Sequence, residues 1–437
     1  MSRISSAPRT LGTALGSAGS VLIGRAARAV TKLRGGGGSA FPGLVVEKLD
    51  PNFLARTLHR LPRGVIVVSG TNGKTTTTKM VVELLQGQGL RVFTNRSGSN
   101  FTRGVVASIL EDVRLTGTLD ADIAVLELDE AHAVHFVKAV RPNHSLLLNV
   151  MRDQLDRFGE IDTTAGMLRT IAQHTVEAVV LNREDPRVRA IAETLDTQRV
   201  DYFGLSESLR VHFPSDDDFH SGPADAADHP HADVVLEELT EGGGRFTIDG
   251  ESVSTSLTVN GAYNTFNAAA ALAVVRQALG ETVDPRALIE SLSKVSPAFG
   301  RGESLTVQGR PLDLVLVKNP SGFRLGLSSF SAEGVATMIA INDNYADGRD
   351  MSWLWDVEFA SLAEQGVRMV SGVRAYDMAL RLKYDDVDFD AVEPDLSLAL
   401  TRFLDENPDR PARIFCTYTA MLALRKRLGA YTEVEAF

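Results

Sequence analysis

Two kinds of segment alternate along the chain. Short unbroken apolar runs come first. "GVIVVSG" (64–70) is filled with β-branched residues and bounded by glycines, so it predicts a buried strand. Runs of the same kind recur in "ADIAVLELDE" (121–130), "HSLLLNV" (144–150) and "EAVVLN" (177–182). Between them the spacing is helical. "KTTTTKMVVELLQGQG", from Lys74, carries apolar residues at helical intervals and stops at glycine. Strands alternating with helices predict an α/β fold with a mostly parallel sheet.

The rhythm breaks between 206 and about 258. "SDDDFHSGPADAADHPHADV" is acidic and turn-rich and reads as a solvated insertion, and "GGGRFTIDGESVSTSLTV" reads as a hairpin. "GAYNTFNAAAALAVVRQALG" then predicts a strong helix ending at Gly280. Strand and helix alternate again through "LDLVLV", "VATMIAIND", "VRMVSG" and "ARIFCT", which predicts a second, smaller α/β domain. Three parts result: a basic helical segment with a Gly-rich hinge (1–45), a central domain (46–302) and a C-terminal domain (303–437). The second boundary lies near "FGRGE", 299–303.

Charge changes the picture at the N-terminus. Arg3, Arg9, Arg25, Arg28, Lys32 and Arg34 precede the first acid, Glu47. Glycine and serine break the apolar run in "LGTALGSAGSVLIG", which argues against a signal peptide. A surface helix ahead of "RGGGGSAFPG" is the simpler reading; a basic amphipathic segment resting on an anionic membrane face is the alternative. Elsewhere the 437 residues are 44% hydrophobic and 23% charged with a net charge of −11, which disfavours nucleic acid as the main partner. No apolar run reaches the ~18 residues of a bilayer span. The single cysteine, Cys416, excludes an intramolecular disulfide framework and a cysteine-rich zinc site, and suits a reducing cytoplasm.

The candidate chemistry sits at the end of the first strand. Gly70-Thr71-Asn72-Gly73-Lys74-Thr75-Thr76 is a phosphate-loop pattern, although Val68 stands where the commonest form has its first glycine. Glycines let backbone N–H groups approach phosphate oxygens, and the following helix N-terminus adds positive potential. Lys74 can reach the β- and γ-phosphates, and Thr75 or Thr76 can offer a hydroxyl to Mg²⁺. Mg²⁺ also takes carboxylates, and "VLELDEAH" supplies Glu127, Asp129 and Glu130 past another strand, with His132 beside them. Glu127 is the best placed; Asp129 and Glu130 read equally well as solvated acids. "NREDP" (182–186) reads as an ordinary turn. Asn264 and Asn267 are three apart at a helix start, suited to an adenine edge or to capping. Arg301 can clamp a phosphate from the interdomain hinge.

In this order, G-T-N-G-K-T-T, E-L-D-E, N-R-E-D-P, G-A-Y-N-x-x-N-A-A-A and G-R-G-E resemble the Mur ligase superfamily over roughly residues 40–430. "LVKNPSGF", "NDNYADGRDMSWLWDVEF", "SGVRAYDMALRLKY" and "CTYTAM" narrow the resemblance to MurT-type synthetase subunits of lipid II isoglutaminyl synthase. The resemblance implies a Mur-ligase-like central P-loop ATPase domain followed by a Rossmann-like C-terminal domain. It implies amidation of the D-glutamate α-carboxylate of the lipid II stem peptide through an acyl phosphate, with ATP and Mg²⁺. The ammonia comes from a GatD-type class I glutamine amidotransferase partner in a heterodimer. Residues 70–76 match the ATP loop, Glu127 the metal glutamate, Asn264 and Asn267 the nucleotide-side asparagines, and Arg301 the hinge arginine.

Three departures accompany the resemblance. No lysine between Lys138 and Lys294 can carry the carbamate of the amino-acid-adding ligases; Arg169 is the nearest fixed charge. Tyr263 replaces their usual histidine. The four-cysteine zinc ribbon of many MurT proteins is excluded, so no zinc site is expected; His220, His229 and His231 with Asp216 to Asp218 read as a solvated insertion. Asp343, Asp347, Asp350 and Asp356 cluster with Trp353 and Trp355 in a candidate partner-contact surface. The resemblance implies that one aspartate orients the partner's glutaminase histidine, with Asp350 first and Asp347 second. The competing readings are another Mur-like ligase with an amino-acid acceptor and a non-catalytic nucleotide-binding scaffold.

Overall fold

A computed structural model describes residues 11–33, 40–95, 100–151, 161–210, 213, 229–240, 242–258, 261–280, 283–296, 301–330 and 332–432. Its strands form two sheets. The first contains β1 (Val65–Ser69), β2 (Val92–Thr94), β3 (Ile123–Glu127), β4 (His144–Leu147), β5 (Ala178–Asn182), β6 (Arg199–Leu205), β7 (Val234–Thr240), β8 (Gly243–Ile248) and β9 (Glu251–Ser256). Their order is β2-β3-β1-β4-β5-β6-β7-β8-β9. All pairs are parallel except β7–β8 and β8–β9. β1 is buried at every position, between β3 and β4. A strand covered on both faces has no polar side to alternate with, hence its continuous apolar run.

Helices of eight residues or more are numbered in chain order. Those of the first part are α1 (Leu11–Leu33), α2 (Ala40–Leu49), α3 (Lys74–Gly87), α4 (Thr102–Asp112), α5 (Glu130–Ala139), α6 (Ile161–His174), α7 (Ala262–Leu279) and α8 (Pro285–Leu292). α3, α7 and α8 cover one face of the sheet. α4, α5 and α6 cover the other. α7 packs beside α3 on the same face, α3 over β1 to β3 and α7 over β4 to β8, and Thr265 to Arg276 are buried without interruption. An enclosed helix is apolar all round, which is why "NAAAALAVV" shows little amphipathic contrast.

The structure corrects two boundaries. Residues 234–256 are part of the sheet: β7 pairs in parallel with β6 and packs against α7, and only β8–β9 is the expected hairpin. The strand in "ADVVLEELT" went unread because burial alternates along its first residues and gives way to exposed acids. At the N-terminus, the boundary at 45 falls inside α2, so the end of "SAFPG" is helical rather than hinge. Proline fits a helix's first turn. Gly43 lets α2 lie against α4: a Cβ there would meet the Arg103 carbonyl oxygen at 2.1 Å.

The second sheet contains β10 (Arg301–Val307), β11 (Arg310–Leu316), β12 (Ala336–Ala340), β13 (Met369–Ser371), β14 (Val392–Glu393) and β15 (Ala412–Cys416), ordered β10-β11-β15-β12-β13-β14. Only β10–β11 is antiparallel. Around it lie α9 (Pro320–Ser329), α10 (Ala375–Tyr384), α11 (Leu396–Glu406) and α12 (Tyr418–Leu428). The turn from β11 into α9 meets the loop between β1 and α3, and the candidate site forms at that junction. No described helix is long and apolar enough to cross a membrane.

Candidate active site

The loop leaving β1 depends on two glycines with positive φ, Gly70 (+136°) and Gly73 (+85°). Side chains rarely adopt such a backbone, and at Gly73 a Cβ would also sit 2.6 Å from Asn267 Oδ1. Asn149, just past β4, holds the loop from beneath. Its backbone carbonyl accepts from Thr71 N (2.9 Å), and its Oδ1 accepts from Asn72 N (2.8 Å). Its Nδ2 donates to the Asn72 carbonyl (3.1 Å) and to the Tyr263 hydroxyl (2.8 Å). Tyr263, in place of histidine, thus anchors the start of α7 to the phosphate loop. Burial pushes its phenol pKa up, so it stays neutral.

Lys74 opens α3 and is buried. Its Nζ donates to Gly70 O and, at 3.3 Å each, to Thr71 O and Glu130 Oε2. Glu130 is therefore not a solvated acid. Asp129 caps α5 by accepting from Ala131 N at 3.3 Å. His132 lies against the Phe101 ring. Thr75 Oγ1 donates to Glu127 Oε1 at 2.9 Å. Asn95 fixes Glu127 by accepting from its N–H and donating to its carbonyl, both at 2.9 Å. A hydroxyl and a carboxylate at the loop's edge form an all-oxygen donor set of the kind Mg²⁺ takes.

A cavity opens beside the loop. Gly73, Thr76, Asn264 and Asn267 line one wall, and Lys318 and Phe330 line the other. Asn267 Nδ2 lies 3.5 Å from Asn264 Oδ1, so the two amides share a helix face as their spacing predicts. The junction is clasped by two asparagines. Asn72 Nδ2 donates to Asn319 Oδ1 (3.2 Å), and Asn319 Nδ2 donates to Asn72 Oδ1 (3.0 Å). Lys318 Nζ donates to the Thr71 carbonyl at 3.3 Å. Arg301 begins β10 opposite Val315, and its side chain lies outside the described residues. Arg169 is exposed on α6.

Residues 68–275 match the family model described as the Mur ligase middle domain, and residues 316–421 match that of the MurT ligase C-terminal domain. The MurT subunit of lipid II isoglutaminyl synthase (glutamine-hydrolyzing) from Streptococcus pneumoniae is 30% identical, over 94% of this chain and 96% of its own. The chain belongs to the MurT family of Mur ligases. The corresponding MurT subunit from Staphylococcus aureus (strain COL) is 27% identical over 88% of this chain and 91% of its own. Among solved structures, MurF ligase from Thermotoga maritima in complex with ADP has the same fold, with a TM-score of 0.66 at 20% identity, covering 89% of this chain and 84% of that one.

As a MurT-family ligase the chain is an enzyme, and the expected partner surface needs correction in its details. Asp347 is buried and accepts three hydrogen bonds. It accepts from Thr419 N (2.7 Å), Thr419 Oγ1 (2.5 Å) and Asn344 N (3.1 Å), and so holds the start of α12. Burial raises its pKa. In this chain its carboxylate is turned toward Thr419 and Asn344 rather than toward solvent. Asp350 is exposed and accepts from Ser352 N at 2.9 Å, and hydrogen bonding from Ser352 holds it below the usual carboxylate range. Asp343 lies 3.7 Å from Arg374, and the Asp356 carbonyl accepts from Arg324. Trp353 belongs to the core beside Phe323, whereas Trp355 is 48% exposed, edge-on to Tyr384 at 5.0 Å.

The remaining expectations concern metals and thiols. His229 is pinned between Glu184 Oε2 (3.3 Å) and Arg189 Nη1 (3.1 Å). His220 and Asp216 to Asp218 lie outside the described residues, among which no three His, Cys, Asp or Glu side chains could hold a metal ion. Cys416 is fully buried, and burial pushes its thiol pKa far up, so it cannot serve as a nucleophile.

Asp185 in the "NREDP" turn carries a pH dependence. It accepts from Val150 N (2.7 Å), Arg187 N (3.0 Å) and Val188 N (3.0 Å), tying β5 to the end of β4. Burial nevertheless raises its pKa from 3.8 to about 6. The folded state thus keeps this proton where the unfolded chain releases it. Its stabilising contribution is full below pH 3.8 and is lost as pH rises through about 6. Asp185→Asn should flatten that stretch of the stability–pH curve by on the order of 3 kcal/mol, read from urea midpoints. Equal slopes in both proteins would contradict this.

Proposed function

We propose that the chain is the synthetase subunit that converts the D-glutamate α-carboxylate of the lipid II stem peptide to the carboxamide of D-isoglutamine. The nitrogen is ammonia released from glutamine by a GatD-type amidotransferase subunit. The pair acts in the cytoplasm, at the inner face of the membrane that holds the lipid-linked substrate.

A carboxylate is a poor electrophile, and phosphorylation supplies its leaving group. A carboxylate oxygen bonds to the γ-phosphorus and the bond to ADP breaks. The nitrogen lone pair of ammonia then bonds to the acyl carbon, the acyl–oxygen bond breaks, phosphate departs with that electron pair, and nitrogen loses a proton. When bound, ATP with Mg²⁺ supplies the phosphoryl group and spreads its charge. The protein's part is positioning and electrostatics. Lys74 neutralises the transferring group, and the loop N–H groups hold the phosphates. Thr75 and Glu127 hold Mg²⁺. Asn264 and Asn267 would face the nucleotide, and Arg301, at the start of β10, is the hinge arginine that would clamp its phosphate. Asn72 and Asn319 keep the C-terminal domain seated on the loop.

One observation carries the reading. The loop that carries Lys74 and Thr75, with Glu127 beside it, is clasped at Thr71 and Asn72 by the C-terminal domain's Lys318 and Asn319, in a chain whose single thiol is buried. Its relatives are named as glutamine-hydrolyzing subunits, so the nucleophilic thiol comes from another chain. Asp350, exposed beside Trp355, is the aspartate that orients the partner's histidine. With the partner present, Asp350→Asn should lower glutamine-dependent amidation at least about tenfold while ammonium-dependent amidation and complex formation persist. Equal loss with both nitrogen sources would place Asp350 in the synthetase site, and glutaminase activity in the isolated chain would refute the division of labour.

A further inference from the structure

α1 is turned inside out. Its protein-facing side is mostly small and polar, with Val21 the one large apolar side chain it buries in the core among the described residues. Ser20 Oγ donates to Asp50 Oδ2 (2.6 Å), Ser17 Oγ accepts from Arg56 Nε (3.0 Å), and Gly24 sits against Leu110 and Val46. Its solvent side is apolar: Leu22, Ile23, Ala26, Ala29 and Val30 are all exposed. They follow i, i+1, i+4, i+7, i+8, which puts them on one helical stripe. Leu22 is 58%, Ile23 45% and Val30 47% exposed. α2, packed beside α1, adds exposed Phe41 and Leu49 on its own outer side. A surface helix normally turns such a stripe to the core.

The orientation is held by polar contacts. Arg25 donates to the carbonyls of Leu110 (3.1 Å) and Val113 (2.7 Å) at the end of α4, and Arg28 pairs with Glu111 at 2.5 Å. Rolling α1 to bury the stripe would break these bonds and those of Ser17 and Ser20. The apolar face is therefore built to stay outside.

We propose that this face docks α1 onto an anionic lipid bilayer, lying in the plane of the interface. Charge selects this occupant. The first 46 residues carry six basic residues and no acid, in a chain of net charge −11; Arg25 and Arg28 are held against α4, which leaves Arg3, Arg9, Lys32 and Arg34 for the surface. Such polarity suits an anionic surface, whereas a two-fold dimer through the same face would set one basic segment against another. The stripe's few large side chains also fall well short of the roughly 800 Å² per partner of a stable protein interface. The inference rests on the proposed function for its purpose, since a lipid-linked substrate must be met at a membrane, but its test does not.

The full chain is sedimented with vesicles of phosphatidylglycerol and phosphatidylcholine, and with phosphatidylcholine alone, neither containing lipid II. The chain should bind the anionic vesicles, weaken with salt, and leave the neutral ones largely free. The combined variant Leu22→Gln, Ile23→Gln and Val30→Gln should bind at least about tenfold less. Its unfolding midpoint should fall only slightly, because about half of each of these side chains is already exposed. Absence of binding by the natural chain, or undiminished binding by the variant, would overturn the proposal. So would a concentration-dependent dimer that the variant abolishes. Failure of amidation would leave the vesicle result untouched, so the two readings fail separately.

Discussion

Lys74→Ala is expected to lower ATP-dependent amide formation by at least about 10³-fold, the lower range for removing a cation that faces a transferring phosphoryl group. The ammonium group has no substitute within the loop. Its partners include two loop carbonyls and Glu130. The same change has a structural cost. Glu130 is only 6% exposed at its side chain, so losing Lys74 leaves a buried carboxylate unpaired, at about 3–5 kcal/mol. Activity and stability therefore fall together in the single variant. Adding Glu130→Gln should recover most of the unfolding midpoint and none of the turnover. If the double variant recovered turnover, Lys74 would be a structural cation only.

Glu127→Ala should be nearly as severe, and selectively so. Outer-shell partners of a metal site cost about 10–100-fold when removed, and a direct ligand costs more. The variant should need far higher Mg²⁺ for half-maximal rate, and turnover at saturating Mg²⁺ should remain reduced at least about 10²-fold. Thr75→Ala should shift the same Mg²⁺ dependence less, since a hydroxyl binds the cation more weakly than a carboxylate. Asn95 continues to tie the strand end through backbone atoms, so the fold should survive. An unchanged Mg²⁺ requirement in Glu127→Ala would remove this residue from the metal site.

These two predictions rest on residues legible in the sequence, because each follows directly from an apolar run. Val65 to Ser69 and Ile123 to Glu127 are neighbouring buried strands, so Lys74 and Glu127 emerge at the same sheet edge. Glu130 was ambiguous for a physical reason. A polar residue just past a strand end is solvated or buried according to what packs over it, and Lys74 lies 56 residues earlier in the chain. Asn149 was invisible for the same reason, although a single asparagine ending "HSLLLN" was its only local signal. The Asn72–Asn319 clasp joins residues 247 apart, beyond the reach of periodicity. The aspartates of 343–356 show the limit most plainly. The resemblance puts Asp350 first and Asp347 second without a local reason to separate them; in the structure Asp347 is bonded to Thr419 and Asn344 while Asp350 stays exposed. The outward apolar face of α1 was hidden too, since helical spacing predicts a stripe and cannot say which way it points.

The central claim is that this site phosphorylates a lipid-linked carboxylate for ammonia to attack. The most direct measurement supplies the isolated chain with lipid II, ATP, Mg²⁺ and ammonium, and follows product mass together with phosphate release. The account predicts one carboxamide per phosphate, at the D-glutamate α-carboxylate, with no reaction when glutamine replaces ammonium. Amide formation with an amino acid in place of ammonium, or phosphate release indifferent to lipid II, would contradict it.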